Sequence, residues 1–136
     1  MGMNSFRILK GLGLAIALGL ASAPPVAAQE LPPVATQQLF GAIAFSPRTG
    51  AHGWSTGNTS RGEAEIDAQA NCLKHASDCQ LATWFRDACG ALAVGRAGWG
   101  AHWGNNREQA EAAAIDACRQ HTRNCKVVQW QCTPGR

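Results

Sequence analysis

The chain repeats itself. From Arg61 onward a constant offset of 46 carries Arg61 onto Arg107, Ala64 onto Ala110, Glu65 onto Glu111, Ala68 onto Ala114 and Trp84 onto Trp130. The same offset carries Cys72, His75 and Cys79 onto Cys118, His121 and Cys125. Upstream, "GAIAF" at Gly41 returns as "GALAV" at Gly90, and "GAHGW" at Gly50 returns as "GAHW" at Gly100. So many identities at one spacing mark a duplicated supersecondary unit and confine the fold to architectures built from two like halves, here residues 40–88 and 89–132.

Each half reads as strand, strand, helix, strand. "GAIAF" and "GALAV" are short and apolar, and "SPRTG" after the first is a Pro/Gly turn into the second strand. Asn58, Thr59 and Ser60 in one unit, and Asn105 and Asn106 in the other, supply N-caps before acidic first turns. Helices are predicted over residues 61–75 and 107–121, where Ala64, Ala68 and Cys72, like Ala110, Ala114 and Cys118, form a narrow stripe of small side chains every four residues. A stripe of that kind lets a helix lie close on a sheet. The third strands, "QLATWF" and "KVVQWQ", are aromatic and β-branched. The expected fold class is α+β: two tandem strand-strand-helix-strand repeats in one small disulfide-stapled domain, with the helices on an antiparallel or mixed sheet.

The N-terminus sets the compartment. Arg7 and Lys10 precede "GLGLAIALGLASA", too short to span a bilayer but the right size for the apolar core of a secretory signal. Small residues permit cleavage after Ala23 or Ala28, the second being preferred because the first leaves Pro24 at the new terminus. No cysteine precedes Cys72, so no lipid anchor is expected, and a soluble secreted or periplasmic protein follows. Cleavage after Ala28 removes 2 of the 12 basic residues and none of the 9 acidic ones, leaving a net charge of +1. A chain so near neutrality, with its Arg and Lys scattered, has no electrostatic footprint for nucleic acid or membrane. Residues 29–39 read as a flexible leader and 133–136 as a tail, around a single duplicated domain over 40–132.

An exported chain with six cysteines, all within the repeated region, favours disulfides. A zinc reading would give each unit three soft ligands, Cys72, His75 and Cys79 or their counterparts, without a fourth and without the usual Cys-x-x-Cys knuckle. The duplication narrows the pairing: each Cys-x6-Cys closes on itself, joining Cys72 to Cys79 and Cys118 to Cys125, which leaves Cys89 for Cys132. No metal or other cofactor is expected. His75 and His121 then fall near helix C-termini, where an imidazolium suits the dipole.

No catalytic constellation is present. The serines lack a nucleophile elbow, the glycine-bearing stretches lack a phosphate loop, and Glu65 and Glu111 fit a solvated helix face better than a glycosidase pair. His52 and His102 form a matched pair, more in keeping with a packing solution kept twice than with a catalytic base. The tryptophans are the more informative set. Trp84 and Trp130 fall in alternating strands and read as core, whereas Trp54, Trp99 and Trp103 lie near glycines, Trp99 and Trp103 within "GRAGWGAHWGNN", where rings serve for stacking on sugars or anchoring a protein partner.

The order GAIAF, GAHGW, a capped Ala-rich helix ending in Cys, Cys-x6-Cys, then CGALAV and a second Cys-x6-Cys with a final Cys resembles the secreted bacterial family catalogued as Domain of Unknown Function 4189. The resemblance spans Phe40 to Cys132 and implies export, an α+β fold and disulfides, with no catalytic residues to carry over. The expectation is a non-catalytic binding protein, an inhibitor or immunity-type partner of another exported protein, with Trp54, Trp99, Trp103, His52 and His102 as candidate binding residues. Two alternatives stand beside it: a cell-wall or glycan-binding module using the loop tryptophans, and a hydrolase using His52 or His102.

Overall fold

The computed structural model describes residues 36–136; the expected export signal, both cleavage points and the start of the leader lie outside the described residues. The first unit contains β1 (Phe40–Phe45), β2 (His52–Asn58), α1 (Arg61–Leu73) and β3 (Gln80–Arg86). The second contains β4 (Cys89–Val94), β5 (Trp99–Gly104), α2 (Arg107–Arg119) and β6 (Lys126–Cys132). Each unit folds its own three-stranded antiparallel sheet, in the orders β2-β1-β3 and β5-β4-β6.

The central strands explain the layering. Side chains alternate across a strand, so β1 sends Ala42 and Ala44 to one face and Ile43 and Phe45 to the other, and all four are buried. Ala42 and Ala44 meet the small stripe of α1 (Ala64, Ala68, Cys72), as Ala91 and Ala93 meet that of α2 (Ala110, Ala114, Cys118). Ile43 and Phe45 instead join Phe85, Ala88 and Leu92 in a layer between the two sheets. The result is helix, sheet, sheet, helix. A methyl group on Gly53 or Gly100 would overlap the backbone nitrogen of Cys72 or Cys118, so each helix backbone rests directly on its second strand.

Caps fix where the helices start. The Ser60 hydroxyl accepts the Glu63 amide at 3.2 Å, while the Thr59 amide donates back to the Glu63 carboxylate; in α2 the Asn106 side chain accepts the Gln109 amide and the Asn105 amide donates back to the Gln109 side chain. The helices end two residues before the predicted limits. Lys74 and Gln120 cap them, and the amides of His75 and His121 close 2.9 Å bonds to the carbonyls of Cys72 and Cys118 as the chain turns back. Disulfides join Cys72 to Cys79, Cys118 to Cys125 and Cys89 to Cys132, and no cysteine is free among the described residues.

Order extends slightly past both edges of the repeat. Leu39 exchanges backbone and side-chain bonds with Asp87 at 2.9 Å, and Thr133, 1% exposed, donates its amide and hydroxyl to the Ala88 carbonyl. Asp87 stands at a φ of 45°, a conformation Asp tolerates better than most residues, in the two-residue link between the units.

The strand register corrects one match made from sequence. His52 pairs with Phe45 and Trp99 with Val94; Trp54 pairs with Ile43 and Ala101 with Leu92; Ser55 pairs with Ala42 and His102 with Ala91. The counterpart of His52 is therefore Trp99, that of Trp54 is Ala101, and that of His102 is Ser55. The alignment of "GAHGW" with "GAHW" fails for a physical reason. The turn after β1 is longer than the one after β4, and β2 carries a bulge near Gly57, whose φ of 77° only glycine adopts without strain.

Candidate functional site

The loop tryptophans do not form one platform. A concavity of about 780 Å³ opens beside Trp99, whose ring meets Phe45 edge-on at 5.4 Å between the sheets. Val94 and Ala101 add apolar wall, while Arg96 and His121 supply the ionisable groups of the lining, both basic. Backbone bonds build this shape. Gly95 donates to the Gly98 carbonyl at 2.8 Å, Arg96 to the Arg123 carbonyl at 3.2 Å, and the Ala97 amide to the Thr122 hydroxyl at 3.0 Å. The 95–98 turn is thereby fastened to the segment that the Cys118–Cys125 disulfide closes.

A second groove, about 350 Å³, is lined by His52, Trp54, Asn71, Lys74 and His75. Register and helix offset make it the first unit's counterpart of the Trp99 groove: His52 stands for Trp99, Trp54 for Ala101, Asn71 for Ala117 and His75 for His121. Its ionisable lining is again entirely basic. Trp103 lies elsewhere, 50% exposed, beside Trp84, Phe85 and Arg86 in a depression of about 220 Å³. The His102 ring stacks on it with centroids 6.2 Å apart, and His102 Nδ1 lies 2.9 Å from the Trp103 carbonyl.

The repeat-matched Arg, Glu and Trp have a structural role. Arg61 lies over the Trp84 ring at 4.3 Å and Arg107 over Trp130 at 4.0 Å, each guanidinium held by Glu65 or Glu111 one helical turn on. Neither tryptophan is fully buried, as a core reading had them; Trp84 is half-buried and Trp130 is 37% exposed, each sheltered under its arginine.

One buried hydroxyl has a carboxylate partner. Ser46 is fully buried, donates to Asp78 at 2.6 Å and accepts from the Thr49 hydroxyl at 2.8 Å. The Ser46 bond, opposed by partial desolvation and helped by the Asp78 backbone amide and Arg48, holds the Asp78 carboxyl below its ordinary range. A carboxylate made less basic is poorly matched to proton abstraction near neutrality, and no imidazole takes part in its hydrogen bonds. The network ties the β1–β2 turn to the end of the α1–β3 loop. Among the described residues no three His, Cys, Asp or Glu side chains gather as they would around a metal ion, and no helix is long and apolar enough to cross a membrane.

Of the candidate residues, the structure brings His52 and Trp54 together, places Trp99 apart from Trp103, and sets His102 with Trp103. Sequence reasoning missed Phe45 and Arg96. Arg96 sits in the same glycine-rich stretch as Trp99, a signal that was visible, whereas Phe45 enters the groove from the other unit and no local pattern announces that.

No curated protein matches the chain. Among solved structures it is similar to the NMR structure of Rv1813c from Mycobacterium tuberculosis, at 22% identity with a TM-score of 0.53, covering 97% of this chain and 100% of that one. That likeness concerns the fold. The family model described as Domain of unknown function (DUF4189) matches residues 40–132, the whole duplicated region, and the chain belongs to that family.

Proposed function

We propose that this domain is an exported, non-catalytic binding protein that recognises another exported protein, in the manner of an inhibitor or immunity-type partner, through the groove beside Trp99. The observation that carries this reading is the groove itself. It is open, walled by Trp99 and Phe45 and held in shape by main-chain bonds to a disulfide-closed loop, and its lining holds no carboxylate to pair with His121 in acid–base work. Rigid aromatic walls anchor partners at low entropic cost. The three disulfides support export.

A photo-cross-linking amino acid at Ala97, on the groove rim, is expected to trap one dominant protein in exporting cells. The same group at Ile66, 68% exposed on α1, is expected to trap none. Equal adducts from both sites, or none from Ala97, would remove the reading.

Glycan binding keeps one specific observation in its favour, the 42% and 50% exposure of Trp54 and Trp103. Against it, those rings belong to separate depressions and Trp99 to a third. Sedimentation with purified peptidoglycan that is lost on combining Trp99→Ala with Trp103→Ala would reinstate it.

A further inference from the structure

The two repeat-related grooves share a chemistry that their sequences do not. The first presents Trp99 with Arg96 and His121; the second presents His52 and Trp54 with Lys74 and His75. Few of these residues are identical across the repeat, yet each groove joins a flat ring to two or more basic side chains, and neither lining contains a carboxylate. The chain carries 12 Lys and Arg, 4 His and 9 Asp and Glu, and both linings draw their ionisable groups from the basic set alone.

We propose that both grooves bind carboxylate-bearing peptide segments, an apolar side chain lying on the ring and a neighbouring Asp or Glu meeting the basic group, so that the domain is bivalent for an acidic protein partner. This rests on the protein-binding reading above and specifies its chemistry. A peptide suits the Trp99 groove better than a sugar does. The apolar lining of Phe45, Val94 and Ala101 accepts an apolar side chain, whereas sugar hydroxyls call for carboxylate or amide side chains that this lining lacks. An acidic segment finds complementary charge at the rim, which sets specificity and the rate of encounter. The exposed Arg96 lies on the 95–98 turn, pinned by its own amide to Arg123, so its backbone is ordered before any partner arrives.

The test is calorimetric titration of the oxidised protein with three probes: a blocked hexapeptide alternating Glu and Phe, the same peptide with Gln for Glu, and a soluble peptidoglycan fragment. The acidic peptide is expected to bind at two sites per chain, and the Gln peptide about tenfold more weakly or not at all. Arg96→Glu, an exposed substitution that leaves the fold intact, is expected to remove one site, and Lys74→Glu combined with His75→Ala the other. Equal binding of the Glu and Gln peptides, binding of neither, preference for the peptidoglycan fragment, or two sites surviving Arg96→Glu would each overturn the proposal. Failure of the acidic chemistry stays distinguishable from failure of the protein-binding reading: an Ala97 cross-link that persists undiminished in Arg96→Glu rejects the first and keeps the second.

Discussion

Phe85 stands where the duplication breaks, because the offset that relates α1 to α2 places Gln131 opposite it. Its ring, 1% exposed, lies against both Gly41 and Gly90, and a methyl group on either glycine would overlap it. One aromatic ring thus fills space offered by both central strands, and a second ring at residue 131 would have nowhere to go. Phe85→Ala is expected to cost about 3 to 5 kcal/mol by denaturant unfolding, and Gln131→Ala under about 1 kcal/mol. Comparable losses would mean that the inter-sheet layer is symmetric after all. At Asp78 the prediction concerns pH. Its carboxyl titrates lower in the folded chain than in the unfolded one, so the stability it contributes is fully present above about pH 4 and is lost as pH falls through the lowered value. Glu63, lowered chiefly by the Thr59 hydroxyl, acts in the same direction. The stability gap between the wild type and Asp78→Asn is therefore expected to shrink below about pH 4. An unchanged gap across that range would show that the Ser46–Asp78 bond is not coupled to folding.

Among elements, the two short disulfides look equivalent in sequence but hold different things. Cys118–Cys125 closes the segment whose Thr122 hydroxyl and Arg123 carbonyl receive the amides of Ala97 and Arg96. Cys72–Cys79 closes a segment tied to the β1–β2 turn by side chains, through Ser46, Arg48 and Asp78. Replacing either pair by alanine is expected to cost about 2.5 kcal/mol, against about 4 kcal/mol for Cys89–Cys132 with its longer loop. The site consequence separates them. Hydrogen exchange at the Arg96 and Ala97 amides is expected to accelerate in the Cys118→Ala, Cys125→Ala variant and to stay slow in the Cys72→Ala, Cys79→Ala variant. Equal acceleration in both would mean that the groove follows global stability and not its local staple. The elements themselves were legible because their signals are local: Ser60 and Asn106 cap at fixed offsets, and a stripe of alanine and cysteine recurs at helical spacing. The register of β2 and β5 was not. Matching letters around His52 and His102 outweighed a bulge and a longer turn, features that one sequence records only as extra residues of uncertain placement.

At the scale of the whole molecule, the halves are joined by one short peptide link and by no disulfide. Every disulfide lies within one unit, so the units cohere through Ile43, Phe45, Phe85 and Leu92 between the sheets, helped by Thr133 reaching back to Ala88. The sequence reading foresaw two like units with helices on sheet but left the sheet undivided, since pairing between strands of different units is a long-range matter that no local pattern encodes. The same blindness hid the groove, whose Phe45 and Trp99 come from opposite halves. A physical expectation follows for residues 36–88 and 89–136 expressed separately. Each fragment has about 50 residues, a size at which burial barely offsets chain entropy, and each loses the partner for one whole sheet face. The second fragment also loses the ring that covers Gly90, and its two disulfides pack on the helix side of the sheet and do not replace it. Both fragments are expected to lack near-ultraviolet circular dichroism and to bind a hydrophobic dye, and their mixture to regain the signal of the intact chain. A single fragment that unfolded cooperatively alone would make the duplication two domains side by side, and the Trp99 groove an interface between them.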